Sequence, residues 1–103
     1  MGNPMRIRAS IVGDMVEVKI LMRHDMETGQ RKDASGAVVP AHYIKTLVAR
    51  HKEKVVFDAS FGPSVSKDPF LSFKFRGGAT GDKVTVAWAD TAGDTRTDEG
   101  TVS

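Results

Sequence analysis

Met22, His24 and Met26 fall at alternate positions, so two thioethers and an imidazole share one face of any strand that carries them. Soft sulfur and imidazole donors in that arrangement suit Cu(I). The same face continues Val16, Val18 and Ile20, which makes the three residues the rim of an apolar core, where methionine fills gaps. His42 completes a ligand set only if the intervening chain folds back. Ser64-Val65-Ser66-Lys67 contains Ser-x-x-Lys, the spacing that sets a nucleophilic serine beside a lysine base on a helix. Gly62-Pro63 before it and Asp68-Pro69 after it argue against a helix, and no companion motif accompanies it. Asp90, Asp94, Asp98 and Glu99 offer oxygen donors of the kind Ca²⁺ takes, but their spacing departs from the EF-hand loop. Aspartates of a hairpin turn account for them.

The elements that would position these residues are short strands. Met5, Ile7, Ala9 and Ile11 oppose Arg6, Arg8 and Ser10, and after Gly13-Asp14 the residues Val16, Val18, Ile20 and Met22 oppose Glu17 and Lys19. Tyr43 to Arg50 reads as a third strand, turning through His51-Lys52-Glu53-Lys54 into Val55, Phe57, Ala59 and Phe61. Leu71, Phe73 and Phe75 form a fifth and Val84, Val86 and Trp88 a sixth. Thr91-Ala92-Gly93-Asp94 turns into a polar seventh in which only Val102 is strongly apolar, the signature of an edge. Seven short strands without an amphipathic helix predict an all-β, immunoglobulin-like antiparallel sandwich, with a small barrel as the competing architecture.

Two stretches break the alternation, Met22 to Ile44 and Gly62 to Pro69. A connection of about 15 or more residues without secondary structure is unusual in a compact domain and is usually functional. Arg31-Lys32-Asp33 and Lys67-Asp68 set mixed charges beside Val38-Val39-Pro40, Tyr43 and Val65, a mixture common at protein interfaces.

Composition narrows the classes. The 103 residues suit one domain with one core. Fifteen Lys and Arg against 13 Asp and Glu give a charge of +2, and along the chain they are scattered rather than gathered into a stripe. With five Phe, one Trp and one Tyr, neither the basic face nor the aromatic platforms of a nucleic-acid binder are evident. These residues include no cysteine, which excludes thiol chemistry and disulfides in them. No membrane span and no secretory leader is read in the sequence.

Long ordered strings resemble a known family. They are His24-Asp25-Met26-Glu27-Thr28-Gly29-Gln30-Arg31-Lys32-Asp33, Val39-Pro40-Ala41-His42-Tyr43-Ile44, and Phe61-Gly62-Pro63-Ser64-Val65-Ser66-Lys67-Asp68-Pro69-Phe70-Leu71. Pro4 to Ala9, Gly81-Asp82-Lys83, Trp88-Ala89-Asp90 and Gly93 to Asp98 add to them. Together they resemble the Z subunit of the sulfur-oxidation carrier complex of bacterial thiosulfate oxidation. The resemblance implies a non-catalytic immunoglobulin-like subunit without cofactor or metal. Its expected partner is the Y subunit, whose Gly-Gly-Cys-Gly-Gly arm carries sulfur intermediates between pathway enzymes that bind transiently. It also implies a periplasmic location by co-export with the Y subunit, and leaves room for self-association of the isolated chain. The expected partner-binding residues are Met22, His24, Met26, Glu27, Arg31, Lys32, His42, Tyr43, Pro63, Ser64, Val65, Ser66 and Lys67. Competing readings are a generic sandwich adhesion or carbohydrate-binding module and a small periplasmic copper protein. Trp88, on a Val-rich alternating strand, is expected inside rather than on a sugar platform.

Overall fold

Alternation of apolar and polar side chains sets the strands, and the positions of glycine and charged turn residues end them. A computed structural model describes residues 2–62 and 65–103. Its strands are β1 (Arg6–Val12), β2 (Met15–Leu21), β3 (Ile44–His51), β4 (Lys54–Ser60), β5 (Phe70–Arg76), β6 (Lys83–Asp90) and β7 (Thr95–Thr101). No helix occurs among the described residues.

Two antiparallel sheets form, with strand orders β1-β2-β5 and β4-β3-β6-β7. This is the immunoglobulin-like β-sandwich, with the fourth strand on the larger sheet rather than beside β5 as in antibody constant domains. The turns follow local chemistry. Gly13 takes φ +64° so that Val12 can pair with Met15 across two residues. Lys52 and Glu53 both take left-handed φ between the paired His51 and Lys54.

The inward phases of β2, β3 and β6 meet in the core. Val16, Val18, Ile20, Leu47, Ala49, Val84 and Val86 are fully buried, and Trp88 is nearly so. Each Val, Ile or Leu side chain so covered contributes about 1.5–3 kcal/mol of transfer free energy. Along one side the sheets meet. Ala9 bridges Val102 in parallel, Ser103 N–H donates to the Ala9 carbonyl, and Gly100 packs on Ile7. A Cβ at Gly100 would come within 2.7 Å of Ile7 Cγ2, so that contact needs glycine. On the other side β4 and β5 are the sheet edges and do not pair with each other, and the rings of Phe57 and Phe73 stack across the gap at 4.5 Å.

Candidate functional site

Both irregular stretches lie against one end of the sandwich, and hydrogen bonds tie them to each other. The longer one is not structureless. His42 and Glu27 exchange backbone hydrogen bonds of 2.7 and 2.9 Å, Lys32 bridges Val38, and Val39 N–H donates to the Arg31 carbonyl. The segment is therefore an irregular antiparallel finger. Its tip is built by Asp33, whose Oδ1 accepts from Ser35 N, Ser35 Oγ and Ala37 N, while Gly36 takes φ +85°. Residues 31–38 are all exposed. Near its base Gly29 sits 3.1 Å, measured from an ideal Cβ, from Ala41 Cβ, at φ +87°. Larger residues there would push the two arms apart. The longest dimension of the molecule is 52 Å and its radius of gyration 15.4 Å, against about 13 Å for a compact domain of this length.

One carboxylate pins both ends of the finger. Asp90, at the end of β6 and 1% exposed, accepts at Oδ2 from His24 Nε2 at 3.0 Å and from His42 Nε2 at 2.7 Å. Its Oδ1 accepts the N–H groups of Ala92 and Asp94. Burial works against the charged carboxylate, but the hydrogen bonds from His24, Asp94, His42 and Ala92 outweigh it. They hold the Asp90 pKa at about 2, below an ordinary 3.8. Around this clasp the His24 ring meets His42 edge-on at 4.7 Å and Trp88 at 5.3 Å.

The proton positions decide what the clasp can hold. Donor atoms of His24, His42 and Asp90 lie within 4.8 Å of one another, the dimensions of a three-ligand metal site. A metal-bound imidazole, however, donates an N–H from its other nitrogen. His24 Nδ1 instead accepts the Met26 N–H at 3.0 Å, so the ring's proton resides on Nε2 and points at Asp90. Binding a cation would break that arrangement. Nor do the thioethers face outward: Met22 is fully buried, and Met26 Sδ accepts the Ile44 N–H at 3.3 Å.

Beside the finger the second loop forms an open cleft of about 600 Å³. Asp25, Glu27, Thr28 and Arg31 make one wall and Val65, Ser66 and Lys67 the other, with Met26 between them. Three hydrogen bonds fix the walls: Met22 N to the Pro69 carbonyl, His24 N to Asp68 Oδ1 and Asp68 N to the His24 carbonyl. Met26 at φ +53° and Asp68 at φ +52° hold left-handed backbone that costs about 1 kcal/mol or more each, and the surrounding bonds sustain it. Within the cleft Arg31 grips Glu27 through Nε at 3.0 Å and a second nitrogen at 2.6 Å. The hydrogen bonds, with the opposite charge each group sees in the other, lower the Glu27 pKa and raise that of Arg31.

The expected binding residues thus separate into two groups. Met22, His24 and Met26 are inside and position the finger, whereas Arg31, Lys32, Ser66 and Lys67 are exposed and Glu27, His42, Tyr43 and Val65 half-buried. Pro63 and Ser64, and with Ser64 the Ser-x-x-Lys pair, lie outside the described residues. The second strand ends at Leu21 rather than continuing through Met26. The Ca²⁺ reading does not survive: Asp90 faces two histidines, and Asp98 accepts the Met5 N–H and a bidentate Arg96. Asp90, which the sequence offers as an oxygen donor for Ca²⁺, is instead the acceptor for both histidines. Its signal lay in the phase of β6, where Val84, Val86, Trp88 and Asp90 alternate inward.

Fold and site define a β-sandwich domain whose distinguishing parts are a clasped finger and the cleft beside it. The model of one family, described as sulphur oxidation protein SoxZ, matches residues 5–101, and the chain belongs to that family, with a role in sulfur oxidation. No curated protein matches the sequence. Among solved structures, a variant superoxide reductase (neelaredoxin) from Archaeoglobus fulgidus in its reduced form is similar. It has 21% identity and a TM-score of 0.55, over 99% of this chain and 87% of that one. At that identity the likeness shows the fold alone.

Proposed function

We propose that this chain is the non-catalytic half of a sulfur-carrier heterodimer. It scaffolds a Y subunit whose cysteine-bearing arm carries the sulfur adduct, and it helps pathway enzymes recognise the pair. The observation that carries this reading is the family match along nearly the whole chain, with no cysteine in the residues it covers. A carrier needs a thiolate to bind sulfur covalently, and the partner must supply it. The clasped finger and its cleft supply what a scaffold needs, a fixed surface with charges held in one geometry. In this reading Arg31, Lys32 and Lys67 contact the partner or the enzymes, and the heterodimer works in the periplasm after export with the Y subunit.

The test is reconstitution. Mixing the chain with its cognate Y subunit should give a stable heterodimer, and reversing charge at Arg31 and Lys32 should weaken either that dimer or its turnover by the enzymes. Unchanged affinity for the Y subunit and the enzymes alike would remove the finger from the recognition surface.

A further inference from the structure

The outer face of the smaller sheet presents a second surface that shares no residue with the cleft. Strand register makes it. Arg6, Leu21 and Phe70 stand in one row across β1, β2 and β5, and Arg8 and Lys19 stand opposite each other in the next. All five residues are exposed, Phe70 at 62% and Leu21 at 38%. They line a shallow depression of about 240 Å³. Three of the chain's fifteen cations, Arg6, Arg8 and Lys19, are thereby placed on one face.

We propose that this face docks an acidic patch of a protein partner that carries an apolar side chain at its centre. Among the described residues no carboxylate lies within ion-pair distance of Arg6 or Arg8, and Lys19 has only Glu17 at 3.8 Å. The cations are therefore available, and Arg8 and Arg6 suit bidentate grip of carboxylates. Single exposed apolar residues are ordinary, but here an aromatic and a leucine stand in register beside three cations, a mixture found at interfaces. Three strands make a floor only about 10 Å wide with low walls, too flat to enclose a small molecule. A single aromatic with Glu17 nearby lacks the successive stacking platforms of a nucleic-acid groove. Complementary charge therefore selects a protein surface of opposite sign.

The experiment titrates the isotope-labelled chain with three probes and follows its amide signals. The probes are a peptide in which Asp and Glu flank a Leu-Phe pair, its Asn and Gln counterpart, and a short DNA duplex. The acidic peptide should shift the amides of Arg6, Arg8, Lys19, Leu21 and Phe70, with affinity falling as salt rises, while the amide peptide leaves them in place. The double variant Arg6→Glu with Arg8→Glu should bind at least about tenfold more weakly, and Phe70→Ser several-fold. Should the reversal disturb folding, Arg6→Gln with Arg8→Gln carries the same comparison. Absence of shifts, shifts centred on other residues, or equal binding by the charge variants would overturn the proposal. Binding of DNA as tight as that of the acidic peptide would make the face a phosphate surface instead, and would overturn it equally.

Discussion

Asp90 is the residue on which the site's architecture turns, because one buried carboxylate accepts a hydrogen bond from each end of the finger. Asp90→Ala removes the acceptor of four N–H groups, those of His24, His42, Ala92 and Asp94, and should destabilise the fold by about 3 kcal/mol, whereas Asp90→Asn, which keeps one acceptor, should cost about 1 kcal/mol. Urea unfolding of the three proteins measures the difference. The pH dependence has a definite sign. The folded carboxyl, at about 2, lies below its ordinary 3.8, so its contribution is complete above the unfolded value and is lost as pH falls through the folded one. Stability should hold down to about pH 5 and then drop by about 2 kcal/mol toward pH 2, with a smaller drop in Asp90→Asn. Nitrogen-15 spectra should show His24 protonated at Nε2 and bare at Nδ1, unchanged by added Zn²⁺. Tight Zn²⁺ binding with the tautomer reversed would make the clasp a metal site.

At the scale of elements, the strands were legible because each has a buried and a solvated face, and period two records that directly. The finger was not. Its pairing rests on bonds between backbone groups at Glu27 and His42 and at Arg31 and Val39, with residues 31–38 all in solvent, so no apolar alternation marks it. The readable trace was Asp33-Ala34-Ser35-Gly36, a turn with a carboxylate at its start and a left-handed glycine at its end. The pairing of Asp90 with His24 and His42 was not legible because those partners are 66 and 48 residues away in sequence. Since the tip buries nothing, replacing residues 32–38 with a two-glycine turn should change unfolding free energy by less than about 0.5 kcal/mol. The same change should weaken partner recognition, which separates a recognition element from a structural one.

For the whole molecule, the sandwich is closed along β1 and β7 and open along β4 and β5, where Phe57, Phe61, Leu71 and Phe73 are only half covered. The open side, the projecting finger and the cationic sheet face are three separate surfaces, which the proposed scaffold role would divide between a lasting partner and passing enzymes. Its charge of +2 conceals that division, since counts along a sequence do not show which face a strand turns outward. The central claim is that these 103 residues act by holding a thiol-bearing partner. Titration calorimetry of the chain against its cognate Y subunit tests it most directly. The account predicts a saturable one-to-one complex in which neither component needs a metal. A titration with no heat and no co-elution would contradict it.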